Sequence, residues 1–414
     1  MKKNNILKES FWSFFGQLIS AIAIIAGIRV ITEYVTPVHY GQYIVFSGII
    51  LLFFNVISGS IFQAFLRIIP ENDDDTSYNK SILLSSKISM LYILICLAFL
   101  LMSFLLNSHY LFLIFIFFLS LISEHLVGLF KVLMNVNREQ KKYAFFQILI
   151  SIFRPIFAVL LYVYYENSFI SILYGFSMAN LLISFLFFGK IITVNLIKSS
   201  KTKFYWHNFS EFFDFSKPLV LQKIFGWSLS NADKYIIALF LGTATAGKYA
   251  PIVSLVSMLF LTASGAIEII FRPYYFEYIA NHKKQSSKKI LKTYAIMLAV
   301  TSIIFISFFS FFNQQIVLLV LGENFREFFY LLPFLSLGFS FLIFGYLFEN
   351  ICFAYKKTWN VFLIEGIAAI TNIIILPIMI YSYGVIGIPF ALLCTYIVHF
   401  LSGYIITRKL LRNV

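Results

Sequence analysis

Residues 11–32 read FWSFFGQLISAIAIIAGIRVIT, a run in which Arg29 is the only charged side chain. A helix needs about 20 mostly apolar residues to cross the hydrocarbon core of a bilayer, so this stretch is long enough to span a membrane. Lys2 and Lys3 precede it, as basic residues precede a signal peptide. The apolar run is too long for a signal peptide, however, and no small-residue cleavage site follows it. We therefore expect residues 11–32 to be the first retained membrane span.

Stretches of the same kind recur along the whole chain of 414 residues. Only 12% of the residues are charged, about half the share in soluble domains, which leaves too little polar surface for a water-soluble protein. Backbone groups in hydrocarbon must pair within their own segment, and these segments are longer than barrel strands of about 10 alternating residues. The sequence therefore predicts an all-α polytopic membrane protein with twelve transmembrane helices, at residues 11–32, 42–66, 82–106, 111–133, 144–165, 168–188, 216–240, 249–272, 290–313, 328–352, 360–382 and 384–407.

The lysines and arginines fall into every second loop. One set of loops, together with both chain ends, holds nearly all of them, whereas the other set holds only Lys248 and Arg326. The positive-inside rule places the basic set in the cytoplasm, so we expect both termini there. The acidic run Asp73-Asp74-Asp75 does not oppose this orientation, because acidic residues contribute little to it. The same placement accounts for the net charge of +14 without a nucleic-acid partner.

A polar segment divides the predicted spans into two groups of six. It covers residues 189–215 and has Lys198-Ser199-Ser200-Lys201 at its centre. We expect an N-terminal six-helix lobe at residues 1–188, a cytoplasmic linker at residues 189–215 and a C-terminal six-helix lobe at residues 216–414.

A weak internal repeat supports two lobes. Residues 40–43 (YGQY) open the second predicted span and residues 246–249 (AGKY) open the eighth, and Arg67 and Arg272 close those spans. Further on, residues 128–147 align with residues 346–365 at an offset of 218, which places Arg138 on Lys356. The matching helices run in the same direction through the membrane. The sequence thus predicts a parallel repeat, related by an axis along the membrane normal.

A longer pattern begins the second half, with WSLSNADKYIIA at residues 227–238 and LGTATAGKYA at residues 241–250. In this pattern the chain resembles the Wzx-type polysaccharide flippases of the multidrug/oligosaccharidyl-lipid/polysaccharide (MOP) exporter superfamily. There, Asp-(Lys/Arg)-x-(Ile/Val) is followed by Leu-Gly and then Val/Ala-Gly-x-Tyr. Residues 40–43 fit the first-half counterpart of this motif, and the length, twelve spans and two lobes fit as well. The related lipid II flippases usually have two further spans, for which this chain has no room.

The resemblance implies a substrate and a location. The substrate would be an oligosaccharide linked to undecaprenyl pyrophosphate, moved from the cytoplasmic to the outer leaflet of the bacterial inner membrane. It would serve the synthesis of O-antigen, lipopolysaccharide or capsule. The partners implied are this lipid-linked substrate, membrane lipids, and the polymerase and chain-length proteins of the same pathway.

Positive charges inside the predicted spans are candidates for substrate contacts, since a charge at the bilayer centre costs roughly 2.5–3.5 kcal/mol. Arg154 lies near the middle of span five, just before Pro155. It is either an anion site in a central cavity or the partner of Glu124 in a buried ion pair, and it could be both. Arg29 lies in the outer part of span one and is a further candidate. Arginine and lysine both bind phosphate, arginine in a forked geometry and lysine as a point charge.

Span seven carries a polar stripe at steps of three to four residues, which places its members on one helix face. We expect that face to line a substrate path. Its members are Lys223, Trp227, Ser230, Asn231 and Lys234.

Two interpretations of the acidic residues remain open. Glu124, Asp233 and Glu268 are candidates for ion coupling or for ion pairs, with Lys234 as a local partner for Asp233. Glu349 and Glu365 flank the loop that contains Lys356 and Lys357; we expect those two glutamates to form interfacial ion pairs with the lysines.

The sequence contains no catalytic pattern. It has no Gly-rich phosphate loop followed by Lys-Ser/Thr and no metal-ligand spacing, and its cysteines, Cys96, Cys352 and Cys394, all lie in apolar stretches where they act as small hydrophobic residues. We therefore expect a transporter rather than an enzyme. It would have no catalytic residues, metal or cofactor, with coupling to H⁺ or Na⁺ as the open point.

Two other functions remain open. A cation-coupled multidrug exporter of the same superfamily, MATE-like, commonly has an acidic residue in span one, where this chain has Arg29 and only the peripheral Glu33. A membrane-embedded polysaccharide polymerase usually has a large outer loop, whereas the longest predicted outer loop here, residues 314–327, is short.

Overall fold

The computed structural model describes residues 3–72, 75–105, 111–191 and 210–412. This part of the chain is almost entirely helical and contains no β-strand. The prediction of an all-helical protein is confirmed. The centre of the predicted linker, with Lys198 and Lys201, and residues Asp73 and Asp74 of the acidic run lie outside the described residues.

The first half of the described chain forms seven α-helices. A π-helical segment, Asn55–Gly59, joins the second helix to the third, so the predicted second span is not one regular helix. The helices are α1 (Lys3–Tyr34), α2 (Pro37–Phe54), α3 (Ser60–Asn72), α4 (Asp75–Leu105), α5 (Leu111–Val136), α6 (Gln140–Tyr164) and α7 (Phe169–Ile191).

The described second half forms seven more α-helices, with short 3₁₀ turns at Glu323–Phe325, Phe329–Leu331 and Gly384–Ile386. The helices are α8 (Ser210–Leu241), α9 (Thr243–Ala280), α10 (Lys284–Phe311), α11 (Asn313–Val320), α12 (Leu332–Ala354), α13 (Thr358–Tyr383) and α14 (Gly387–Arg412).

Within the described residues, ten segments are long and apolar enough to cross a membrane. A helix rises 1.5 Å per residue, so about 20 residues match a hydrocarbon core of about 30 Å. The candidate Thr358–Leu410 includes both α13 and α14, whereas α8 is not a candidate, because its polar and charged residues lower its hydropathy. The chain is a multi-pass membrane protein. The count of twelve spans and the cytoplasmic termini stay predictions.

Contacts between Cα atoms divide the chain into two compact units. The first comprises Met1–Val35 and Phe46–Ile224, and the second comprises Thr36–Val45 and Phe225–Val414. The first residues of α2 therefore belong to the second unit, and α8 is divided between the two. The predicted role of residues 189–215 as a linker between lobes stays a prediction.

Each unit is built on a few long helix–helix contacts. In the first unit α6 packs along both α1 and α7, and α5 packs on α4 and α7. In the second unit α12 and α13 both pack on α14, and α9 and α10 pack on each other and on α12. These packings bring the polar residues of α5, α6 and α7 together in one unit, and those of α12 and α14 together in the other.

Two helix corners that are 218 residues apart have the same backbone geometry. The second residue after the helix end has a positive φ in both cases, 56° at Arg138 and 59° at Lys356. The next N–H donates to the carbonyl five residues earlier, at 2.8 Å in both corners. This is the Schellman motif, which usually has glycine at the left-handed position. The offset equals that of the repeat in the sequence, so the repeated residues form the same local structure.

Two glycines of the repeated Gly-x-Tyr pattern face each other within the second unit. A Cβ on Gly41 would lie 1.8 Å from the carbonyl oxygen of Thr243, and a Cβ on Gly247 would lie 1.9 Å from that of Pro37. Each glycine therefore packs against the carbonyl four residues before the other one. Only glycine permits this close approach of α2 and α9, which gives the repeated motif a physical cause.

Candidate functional site

Arg154 connects three helices of the first unit. Its Nη2 donates to Glu124 Oε1 of α5 at 2.6 Å, and its Nε donates to Asn180 Oδ1 of α7 at 2.7 Å. The Asn180 amide donates in turn to Glu124 Oε1 at 3.1 Å and to Ser123 Oγ at 3.2 Å. We call Ser123, Glu124, Arg154 and Asn180 the Arg154 cluster. Its hydrogen bonds form a closed ring, so each member orients the others.

The Arg154 cluster retains donors that it does not use. Guanidinium carries five N–H groups, and two of those on Arg154 are engaged by Glu124 and Asn180. The side chains of Arg154 and Glu124 are 26% and 20% exposed, so the cluster is open on one side. The alternatives of ion pair and anion site are therefore compatible: the ion pair exists, and N–H groups remain for a ligand.

Two members of this region carry no obvious signal in the sequence. Asn180 is an isolated amide within an otherwise apolar stretch of α7, and that isolation is the clue that could have singled it out. Lys131 lies at the end of the fourth predicted span, residues 111–133, where the sequence indicates only a membrane-flanking cation. It lies seven residues after Glu124, on the same face of α5, and within electrostatic range of Arg154 and Glu124. The first unit thus gathers two cations around one carboxylate.

The polar face of α8 in the second unit forms a local chain of contacts. The ring of Trp227 lies 5.4 Å from the ring of Tyr235, centroid to centroid. Asn231 Nδ2 donates to the Trp227 carbonyl at 3.2 Å, and Lys234 Nζ donates to Asn231 Oδ1 at 3.0 Å and to the Ser230 carbonyl at 3.2 Å. An aromatic ring, an amide and an ammonium group are the groups that recognise sugars and anions.

The other two predicted cations stand apart from these contacts. Lys223 lies in α8 but belongs to the first unit, is half-buried, and has no hydrogen-bond or ion-pair partner among the residues that the structure describes. Arg29 forms a salt bridge with Glu33 of its own helix, with 2.8 Å between Nη2 and Oε2, and is partly exposed. The roles of Lys223 and Arg29 in substrate binding stay predictions.

The acidic candidates Asp233 and Glu268 contact different side chains. Asp233 is 4% exposed and accepts a hydrogen bond from the Tyr249 hydroxyl at 2.9 Å; Lys234, its expected partner, bonds to Ser230 and Asn231. Glu268 accepts from Arg272 Nη1 at 2.7 Å, one turn further along α9. Asp233 and Lys234 form no salt bridge among the described residues, although the Lys234 charge still acts on the buried carboxyl.

The expectation for Glu349 is wrong. Glu349 does not form an interfacial ion pair with Lys356 or Lys357; it is 7% exposed, and its Oε1 lies 2.9 Å from His399 Nε2 of α14. Glu365 is also buried, at 9% exposure. The charge pattern misleads here because a helix turn near a loop can face either the interface or the bundle, and sequence spacing alone does not decide which.

A second polar group in the first unit centres on His125. Ser58 Oγ and Ser85 Oγ each lie 2.8 Å from one of its ring nitrogens, and Ser58 Oγ lies 2.8 Å from the Tyr92 hydroxyl. Ser58 belongs to the π-helical segment Asn55–Gly59, where an extra residue turns its side chain into the unit. The ring is fully satisfied, so this group ties α4 and α5 to the irregular segment.

Solved structures with the same fold are transporters. A lipid II flippase MurJ in an inward closed conformation matches with a TM-score of 0.69 and 18% identity, over 97% of this chain and 87% of that one. A mutant of the Vibrio cholerae MATE transporter VcmN matches with a TM-score of 0.67 and 13% identity, over 99% and 97% of the two chains. A multidrug resistance MATE family transporter of the MOP superfamily, inward-facing, matches with a TM-score of 0.68 and 12% identity, over 96% and 94%.

Similarity at the level of sequence is more limited than similarity of fold. A search of curated proteins found no significant match. A family model described as polysaccharide biosynthesis protein matches residues 30–329. This range covers most of the chain and includes both the Arg154 cluster and the polar face of α8. The chain, which has the fold of the MOP superfamily transporters, belongs to the polysaccharide biosynthesis protein family.

Proposed function

We propose that the protein is a flippase that moves undecaprenyl-pyrophosphate-linked oligosaccharide repeat units from the cytoplasmic to the outer leaflet of the bacterial inner membrane. The observation that carries the proposal is the match to a polysaccharide biosynthesis family in a chain with the fold of a transporter. A saccharide polymer built outside the cell needs its units carried across the membrane. Membership in that family makes a saccharide lipid the natural cargo of this fold.

The chemistry of the first unit suits the headgroup of such a lipid. A pyrophosphate carries negative charge and forms charge-assisted bonds to guanidinium and ammonium groups. Arg154 keeps unused N–H donors, and Lys131 lies close enough to add to the same positive field. We assign the pyrophosphate to Arg154 with Lys131, and Glu124 holds the guanidinium in place when no substrate is bound.

The polar face of α8 suits the saccharide part. Trp227 and Tyr235 offer ring faces, and Asn231 and Lys234 offer donors that could exchange their helix partners for sugar hydroxyls. Alternating access of the two units would then expose these groups to one side of the membrane at a time. The polyprenyl chain would remain in the lipid throughout the cycle.

A second candidate is a cation-coupled multidrug exporter, favoured by the likeness to MATE transporters. A binding site for cationic drugs needs unpaired acidic groups. In the described residues Glu124 and Glu268 are instead paired with Arg154 and Arg272, and Asp233 is buried and accepts a hydrogen bond from Tyr249. The first function therefore explains the site better.

The test is depletion of the protein in its native bacterium, followed by mass spectrometry of the lipid-linked saccharides. We expect a completed lipid-linked repeat unit to accumulate while the surface polymer disappears. Unchanged lipid-linked saccharides together with a new sensitivity to cationic drugs would contradict the proposal and support the exporter.

Variants then locate the site. Arg154→Gln combined with Glu124→Gln removes both charges of the ion pair, so it leaves no uncompensated charge in the membrane. We expect it to insert normally and to lower polymer export about tenfold or more, which corresponds to a loss of about 1.4 kcal/mol. Lys217→Gln is the matched control, because Lys217 is 72% exposed and its ion-pair partner in the described residues is Asp214 of its own helix. Normal export in the double variant would remove Arg154 from the substrate site.

A further inference from the structure

Glu349 and His399 form a buried acid–base pair between α12 and α14. His399 is 0% exposed, Glu349 is 7% exposed, and Nε2 and Oε1 lie 2.9 Å apart. Both residues lie within candidate membrane spans. A charge in such a place is costly unless it is compensated, so the protonation of the pair matters for the stability of this unit.

The imidazole occupies a recess that only glycine provides. A Cβ on Gly345 would lie 1.9 Å from His399 Nδ1, so the ring rests directly on the backbone of α12. Nδ1 is buried and has no hydrogen-bond partner among the described residues. The ring of Tyr346 covers the imidazole edge-on at 5.8 Å. The pair is therefore enclosed, and one of its nitrogens lacks the partner that a purely structural histidine usually has.

The net charge of the pair depends on how many protons its two side chains carry. A neutral imidazole beside a carboxylate has a net charge of −1, whereas one additional proton makes the pair neutral, either as imidazolium–carboxylate or as imidazole–carboxylic acid. The neutral state is favoured while the pair is buried, since an uncompensated buried ion costs several kcal/mol. Release of that proton to water would leave a negative charge that needs solvation.

Among the described residues, the pair has no ion-pair partner beyond its own two members. Arg272 of α9 pairs with Glu268 at 2.7 Å. The groups that the structure places around the pair are acids, a phenol and a thiol, and none of these can neutralise a carboxylate. They are Tyr346 and Cys352 of α12, with Glu268 of α9 and Glu365 of α13 next to Tyr346. Tyr294 of α10 accepts a hydrogen bond from Asn350, beside Glu349, and Tyr396 lies one turn before His399 on α14.

We propose that Glu349 and His399 form a proton-binding site of the second unit, which holds one exchangeable proton while buried and releases it only when water reaches the pair. Because release and hydration must occur together, proton occupancy depends on the conformation of α12 and α14, and by reciprocity the conformation depends on pH. The link to transport rests on the proposed function, whereas proton binding itself does not.

The test is nuclear magnetic resonance of the full-length protein in lipid nanodiscs, with ¹⁵N-labelled histidine. The protein has six histidines, and His399 is assigned by the signal that His399→Gln removes. We expect the His399 signal to change between mildly acidic and mildly alkaline buffer. In Glu349→Gln this pH response should be altered or lost, because the carboxylate no longer shares the proton.

A second variant and a second measurement guard against misfolding. Glu349→Gln with His399→Gln replaces the pair by two amides that can keep a hydrogen bond between α12 and α14. Infrared spectra of wild type and double variant should differ by one pH-dependent carboxylic acid or imidazolium signal. A His399 signal that stays constant across the pH range, together with identical infrared spectra, would overturn the proposal. That result would not contradict the proposed flippase activity. Conversely, normal polymer export in the variants of the Arg154 cluster would not contradict the proposed proton site.

Discussion

At the scale of single residues, the molecule satisfies most intramembrane charges in pairs and leaves a few polar groups available. Arg154 illustrates the principle. Glu124 and Asn180 fix its guanidinium and use two of its donors. A cation that is held in this way does not collapse onto lipid or backbone when the substrate is absent. The pair is thus both a structural contact and a prepared binding group, and the two roles can be separated by experiment.

The ion pair between Arg154 and Glu124 predicts how a single and a double variant change the stability of the protein. Arg154→Gln leaves the Glu124 carboxylate without its cation, and we expect a loss of about 1–3 kcal/mol in the free energy of unfolding, as for a charged hydrogen bond with one partner removed. Adding Glu124→Gln should restore most of this loss, since the unpaired charge disappears. Thermal unfolding in nanodiscs measures both values. Equal stability of wild type and Arg154→Gln would show that the ion pair contributes nothing to the free energy of unfolding.

Tyr249 gives a second prediction at this scale. Its hydroxyl donates to the buried Asp233 carboxylate at 2.9 Å, so Tyr249→Phe should remove this side-chain donor and destabilise the protein by about 1–3 kcal/mol. Tyr396→Phe is the matched control, because Tyr396 is also buried but makes no side-chain hydrogen bond among the described residues. Both variants are compared by thermal unfolding. A control that is destabilised as much as Tyr249→Phe would contradict the assigned hydrogen bond.

Sequence reasoning reached Arg154, Glu124 and the α8 face because charge in an apolar stretch is conspicuous. It missed Asn180 and misread Glu349. Asn180 carries no charge, and its role exists only through α5 and α6, which meet α7 in three dimensions. Glu349 sits between one and two turns from the end of α12, where the sequence indicates proximity to a basic loop but not which way the side chain faces. Pairings between distant helices need packing, which single-sequence periodicity does not contain.

At the scale of helices, the repeated Gly-x-Tyr pattern has a packing explanation. Gly41 and Gly247 let the first turns of α2 and α9 approach until backbone atoms touch. Small residues serve membrane helices in this way, because close approach supplies the van der Waals contact that hydrophobicity cannot supply in lipid. The sequence shows the repeat, and the structure shows that its two copies contact each other within the second unit.

This contact predicts a steric effect of a single methyl group. Gly41→Ala and Gly247→Ala place a Cβ within 2 Å of a carbonyl oxygen, so α2 and α9 must separate. We expect each to destabilise the protein by about 1–3 kcal/mol, as overpacking does. Gly265→Ala in α9 is the control, since its Cβ would meet nothing within 4 Å. Equal thermal stability of the three variants would contradict the close approach of α2 and α9.

The π-helical segment Asn55–Gly59 marks the limit of helix prediction. Hydrophobicity identifies the second span, but it carries no information about one extra residue in a turn. Ser58 of this segment contacts His125 and Tyr92 through its side chain. The partners of these hydrogen bonds lie on α4 and α5, so the contacts cannot be read from residues 55–59 alone.

At the scale of the whole molecule, alternating apolar and basic segments predict topology. The all-helical fold matches those of the lipid II flippase MurJ and of a MATE family transporter. Orientation can be tested after the native cysteines Cys96, Cys352 and Cys394 are replaced. A cysteine at Asn167, which is exposed between α6 and α7, should react with an impermeant thiol reagent added to intact cells, whereas one at Thr358 should not. The reverse labelling would contradict the positive-inside orientation.

The most direct test of the central claim is translocation by the purified protein. The lipid-linked saccharide that accumulates on depletion is incorporated into proteoliposomes, and its access to a saccharide-modifying enzyme on one side is followed over time. We predict that wild-type protein makes the lipid of the hidden leaflet accessible, whereas liposomes with the Arg154→Gln/Glu124→Gln variant remain about tenfold slower or more. Equal accessibility in protein-free and wild-type liposomes would contradict the assignment as a flippase.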